Sequence, residues 1–152
     1  MFQYINKFWV VGIHLRTNHN IGQLPIDLRR LWSLFIEENM FRLIPNTLSS
    51  TVYCLYTNYK SDYRSTYTVV IGVKVLDLKD VPAGMCAWEV VEGVYRKYEV
   101  QHQEPYASLK TWVDIWQEDR ELNRAYTTDY ESYPHALNGD FSNASIFISI
   151  NN

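Results

Sequence analysis

The segment Tyr130-Glu131-Ser132-Tyr133 places an acid between aromatic residues in a stretch that reads as a strand. Alternation along that strand puts Asp129, Glu131 and Tyr133 on one sheet face. If helices cover that face, Glu131 sits among rings such as Trp112 and Trp116. A carboxylate there loses hydration and is tolerated only when paired, protonated or used. Two readings follow. In one, Glu131 lies on the solvent face or pairs with a nearby arginine such as Arg124, and its role is structural. In the other it faces a pocket and supplies one negative charge. Rings and a desolvated carboxylate together suit a cation, because each ring facing it contributes roughly 0.5–2 kcal/mol.

Five tryptophans and twelve tyrosines in 152 residues supply the rings. Trp112 and Trp116 are one turn apart on an expected helix, so they share a face. Tyr56 and Tyr133 occupy matching places in an internal repeat, and Trp88 lies on a strand expected at the repeat seam. Core packing competes with ligand contact for each of them. Trp9 and Trp32 are assigned to core or surface.

The elements that must position these residues repeat. A strand at residues 8–15 and a polar loop at 16–22 lead to a helix near Pro25, whose Leu28, Leu31, Trp32, Phe35 and Ile36 form one apolar face. Asn39 and Pro45-Asn46 close it, and strands at 51–56 and 67–75 follow across a polar connection at 58–65. After Pro82 the order restarts. A strand at 85–91, a helix from about Pro105 carrying Leu109, Trp112, Val113 and Trp116, and strands at 129–133 and 144–150 make the second half. Each half is read as β-α-β-β, spanning about 8–75 and 82–150. Overlaying them matches Leu28, Leu31 and Phe35 with Leu109, Trp112 and Trp116, and Cys54 with Glu131. The expected fold is α+β, a single domain over 1–152 whose two pseudo-symmetric units share one antiparallel sheet, with both helices on one face.

Composition narrows the function. A net charge of −3 with mixed signs lacks the basic stripe that phosphate backbones need, so direct nucleic-acid binding is not expected. Arg29-Arg30 reads as a solvated helix face. The apolar run at 8–13 is too short for a membrane span and lacks a signal peptide's charged lead, and Asn143-Ala144-Ser145 is a chance glycosylation triplet. Cys54 and Cys86 have no C-x-x-C spacing, and a reducing cytoplasmic setting is the default. His14, His19, His102 and His135 do not cluster, so neither a metal nor a cofactor is expected.

Further motifs resemble one family. Pro82-Ala83-Gly84, Ala87 and Gly93 have the spacing that opens the second half of GyrI-like effector-binding domains. Leu31-Trp32-Ser33-Leu34-Phe35 is similar to that family's first-helix motif, and Tyr130-Glu131-Ser132-Tyr133 to its aromatic-Glu-x-Tyr strand. The likeness spans nearly the whole chain and is nearest the free-standing integron-cassette type; Ile148-Ser149-Ile150 departs from the family's Ile-Pro ending. It implies a pocket between the halves, lined by Trp112, Trp116, Trp88, Tyr56 and Tyr133, in which Glu131 pairs with a lipophilic cationic drug. With no helix-turn-helix pattern present, transcriptional regulation implies a separate DNA-binding regulator; sequestering the ligand is the other role. Some relatives resemble hydrolases of DNA-alkylating metabolites, so the alternative is an enzyme with Glu131 as general base. No G-x-S-x-G, H-E-x-x-H or phosphate-binding glycine loop supports it.

Overall fold

In the computed structural model the described residues are 1–18, 22–101 and 108–151. They run β1 (Phe2–Ile5), β2 (Phe8–Asn18), α1 (Gln23–Glu37), a 3-10 turn (Met40–Leu43), β3 (Thr47–Thr57), β4 (Thr66–Val75), β5 (Cys86–Val90) and β6 (Gly93–Glu99). Then come α2 (Ser108–Gln117), α3 (Asp119–Leu122), β7 (Thr128–Tyr133), a second 3-10 turn (Ala136–Asn138) and β8 (Ser145–Ser149). The strands form one antiparallel sheet in the order β1-β6-β8-β7-β3-β4-β2-β5.

Apolar spacing explains α1. Gly22 enters it at φ 81°, Pro25 occupies its first turn where no N–H is needed, and Leu24, Leu28, Leu31, Trp32 and Phe35 are buried along one stripe. That stripe packs on β2 and β4. Phe35 is fully buried, so truncating it to alanine costs about 3–5 kcal/mol. Central β4 is buried on both faces, and its Thr68-Val69-Val70-Ile71-Gly72-Val73 reads accordingly as an almost unbroken apolar run. Gly12 and Gly72 pair directly between β2 and β4, and a Cβ on Gly12 would lie 2.0 Å from the Ile71 carbonyl oxygen. Only glycine permits that approach.

The helices share one face of the sheet. Leu28, Leu31 and Phe35 from α1 join Trp112 and Ile115 from α2 in one core with Val11, Val52, Cys54, Ile71 and Ile146. Val10, Leu55, Val70, Tyr95, Tyr130 and Phe147 form a second core on the opposite face. That face is concave. The Phe8 and Tyr130 rings lie 5.5 Å apart although β4 and β3 separate their strands, and the Thr128 hydroxyl reaches the Glu89 carbonyl at 3.5 Å across β3, β4 and β2.

Two short links enforce the curl. β1 is first and β2 seventh in the sheet, yet only residues 6–7 join them; β5 and β6 are likewise six places apart and joined by residues 91–92. Such a link spans at most about 11 Å. Six strand spacings of about 4.8 Å would separate those strands by about 29 Å in a flat sheet. The ends must therefore bend toward each other.

Two expectations need correction. The strand near 85–91 does not open the second half: as β5 it pairs with β2 at the outer edge, and β6 is the counterpart of β2. Each half is preceded by a short strand, β1 or β5, laid on the other half's edge strand. Composition identifies such a strand but not its partner, and the charged alternation of Tyr95-Arg96-Lys97-Tyr98-Glu99 conceals β6. Likewise Arg16–Asn18 is not loop but the end of β2. The Arg16 guanidinium donates to the Asn58 carbonyl and to the Thr66 and Thr68 hydroxyls, which satisfies it within the sheet. The expected helix start at Pro105, with His19 and His102, lies outside the described residues.

Candidate functional site

The halves meet where β3 pairs with β7, and there Cys54 lies directly opposite Glu131. Val52 faces Tyr133 and Tyr56 faces Asp129. A pseudo-two-fold that exchanges residues 54 and 131 also exchanges these two flanking pairs, so the repeat axis runs through the Cys54–Glu131 pair. Glu131 therefore stands at the centre of the sheet, on the face beneath the helices.

Its surroundings explain how a carboxylate survives there. Glu131 is 1% exposed. The Tyr56 hydroxyl donates to Oε2 at 2.8 Å, the Trp112 indole N–H donates to the same oxygen at 2.6 Å, and the Tyr133 hydroxyl donates to Oε1 at 2.5 Å. Tyr56 and Tyr133 are related by the axis, so both halves contribute a phenol. Desolvation raises the Glu131 pKa, and the donors Tyr133, Trp112, Tyr56 and Ser108 counter part of that rise. All are neutral. Among the described residues no basic side chain forms an ion pair with Glu131.

Arg124 is engaged elsewhere. Its guanidinium donates to Asp129 Oδ2 at 2.6 Å and Asp119 Oδ1 at 3.2 Å, and it lies 4.2 Å from the Tyr126 ring centroid and 5.9 Å from that of Trp112. Asp129 also accepts from the Tyr59 hydroxyl at 2.5 Å and from the Ser149 N–H and hydroxyl at 2.9 and 3.2 Å. Burial works against the Arg124 charge, but Asp129 and Tyr59 outweigh it and raise its pKa. The suggested Arg124–Glu131 pair is absent, and the aromatic wall already holds one guanidinium.

Beside this network Tyr56, Tyr59, Tyr63, Tyr67, Trp112, Trp116 and Arg124 enclose a cavity of about 10 Å³, room for roughly one water. Trp116 stacks on Tyr63 with centroids 5.7 Å apart and planes 11° apart. The same two rings also border an outer hollow of about 240 Å³ with Arg64, Gln117, Asp119 and Arg120. They form the partition between inner cavity and surface. Glu131 stands one layer behind the cavity, bonded to Tyr56 and Trp112 in its wall.

A family model described as Cass2, integron-associated effector binding protein, matches residues 2–150. The chain belongs to that family. A search of curated proteins finds no significant match. Among solved structures, the integron cassette protein VCH_CASS2 from the mobile metagenome of Vibrio cholerae is 25% identical, with TM-score 0.73, covering 99% of this chain and 95% of that one. SAV2435 bound to tetraphenylphosphonium shares 15% identity, with TM-score 0.77 and coverage of 100% and 93%. The C-terminal domain of EcmrR shares 13% identity, with TM-score 0.64 and coverage of 100% and 96%. The last two are likenesses of fold. The family is thus one of effector-binding proteins, not one defined by a catalytic activity.

Of the residues singled out in sequence, this effector-binding fold brings Glu131, Tyr56, Tyr133 and Trp112 into direct contact, with Trp116 6.2 Å from Trp112. Trp88 is not among them. Its strand β5 is an outer edge and not the seam, and the ring packs on the concave-face core, 5.1 Å from His14. Sequence reasoning missed Tyr59, Tyr63 and the Asp129–Arg124 pair. Two tyrosines within the polar stretch 58–65 were the available signal, since aromatic residues in a connection need a partner surface. Among the described residues no helix is long and apolar enough to cross a membrane.

Proposed function

We propose that this protein binds amphipathic, lipophilic cations in the cavity beside Glu131, as an effector sensor or a sequestering protein. The observation that carries this reading is a buried carboxylate with no ion-pair partner among the described residues, bonded to two rings that line a cavity. A phenol or indole that donates its proton toward a carboxylate gains electron density in its ring, which strengthens attraction for a cation on the ring face. Tyr56 and Trp112 would thus relay the Glu131 charge to the cavity. Arg124 does not oppose this, because Asp129 and Asp119 neutralise it.

The cavity is too small for such a ligand as it stands, so rings must part. Tyr63 and Trp116 are half-buried and border both hollows, and their separation would join the inner cavity to the outer one. Flat rings with one central charge select for sign more than for shape, which favours a broad ligand range. Tetraphenylphosphonium in SAV2435 is an aromatic cation of the class expected, and EcmrR carries a likeness of this fold as its C-terminal domain. A regulatory role for this chain would couple ligand binding to a DNA-binding regulator.

The test is titration calorimetry with benzyltrimethylammonium and its carbon isostere neopentylbenzene. A preference for the cation of tenfold or more is expected. Equal affinity for the two, or no binding of the cation in the millimolar range, rejects the reading.

A further inference from the structure

The concave face carries a second hollow, of about 330 Å³, separate from the cavity beside Glu131 and lined by other residues. We infer that it binds a planar aromatic monoanion, a carboxylate or sulfonate, whose ring packs on the aromatic floor and whose charge meets Lys74. The floor is built by Phe8, Tyr53, Tyr130 and Phe147. Phe8 lies 5.4 Å from Tyr53 and 5.5 Å from Tyr130, and Tyr130 stacks on Phe147 at 4.6 Å with planes 12° apart. Tyr53, Tyr130 and Phe147 come from the adjacent strands β3, β7 and β8, and the curl of the sheet brings Phe8 of β2 to them.

Charge selects the ligand class. Lys74 is the one charged group among the described residues lining the hollow, and its Nζ lies 4.8 Å from the Phe8 centroid, poised over the floor. Ser132 adds a hydroxyl that can donate to an oxyanion. The volume falls in the range of small-molecule sites, and mouths of barrel-like sheets are common places for them. On β7, Tyr130 and Ser132 face this hollow while Glu131 faces the helices. One strand thus separates a site for anions from the site proposed for cations.

Calorimetry on the whole chain with 1-naphthoate and the neutral 1-naphthamide tests the inference. Naphthoate should bind about tenfold or more tightly than naphthamide, and Lys74→Gln should bring the two to within about twofold. Lys74→Arg keeps the charge and should keep the preference, which separates loss of charge from damage to the fold. Glu131→Gln should leave naphthoate affinity unchanged, so failure here and failure of the cation reading are told apart. Equal binding of the two probes by the native protein, insensitivity to Lys74→Gln, or no naphthoate binding up to the millimolar range overturns the proposal.

Discussion

Replacing Glu131 by glutamine removes one charge and almost no volume, and the structure sets opposite expectations for stability and for binding. Glutamine Oε1 can accept from Tyr56 and Trp112, which already share one oxygen, while its amide faces Tyr133, whose hydroxyl can turn to accept. Hydrogen bonds are largely kept and the desolvation of a carboxylate is relieved, so unligated stability should change by less than about 1 kcal/mol or rise. Binding of a cation should fall. A ligand charge one ring away, at about 6–7 Å and an effective dielectric of about 20, interacts with Glu131 by about 2–3 kcal/mol, a loss of roughly 50–100-fold. Calorimetry of benzyltrimethylammonium and neopentylbenzene against both proteins reads this, since the neutral ligand should lose little. The pH dependence gives an independent check. Burial raises the Glu131 pKa, so between the ordinary carboxylate value and the raised one the folded state binds more protons than the unfolded. Stability contributed by this group is therefore present at low pH and lost as pH rises through that window, whereas cation affinity is gained over it. Both slopes should vanish in Glu131→Gln. Equal loss of both ligands, or destabilisation beyond about 3 kcal/mol, would show that Glu131 holds the fold and does not serve the cavity.

Trp116→Ala removes one wall ring and should weaken cation binding by about 0.5–2 kcal/mol; native tryptophan fluorescence should respond to the same titration, and a silent signal with unchanged affinity contradicts the assignment. Asp129→Asn breaks the buried pair with Arg124 and should cost about 3–5 kcal/mol, a fall in Tm of roughly 6–20 °C; a shift under 2 °C by calorimetry contradicts the pairing. Gly12→Ala drives a methyl into the Ile71 carbonyl and should cost more than about 3 kcal/mol in urea unfolding, whereas a near-native midpoint denies the close β2–β4 approach.

What could be read from sequence followed from local periods. Alternation put Asp129, Glu131 and Tyr133 on one face, one-turn spacing put Trp112 with Trp116, and matching the halves brought Tyr56 to the same centre as Tyr133. The α+β arrangement with helices on one face was legible for the same reason. Partner choice was not. Arg124 takes Asp129 over Glu131 because of distances set by β7 and the turn before it, and no spacing encodes them. Tyr59 and Tyr63 sit in a connection without period. The exchange of β1 and β5 is a long-range pairing, and a strand's own residues do not name its neighbour.

The position of Glu131 on the repeat axis has an evolutionary consequence. In a dimer of identical half-length chains, the operation that places a residue at 131 places the same residue opposite it. A glutamate there would meet a second glutamate as a direct cross-strand neighbour, two buried like charges whose side chains leave the backbone about 5 Å apart. One acid with a small uncharged thiol facing it requires two halves that are free to differ in sequence. Duplication followed by fusion supplies that freedom. A lone charge at the centre of a nearly symmetric frame is thus something a covalently joined pair can evolve and an identical pair cannot.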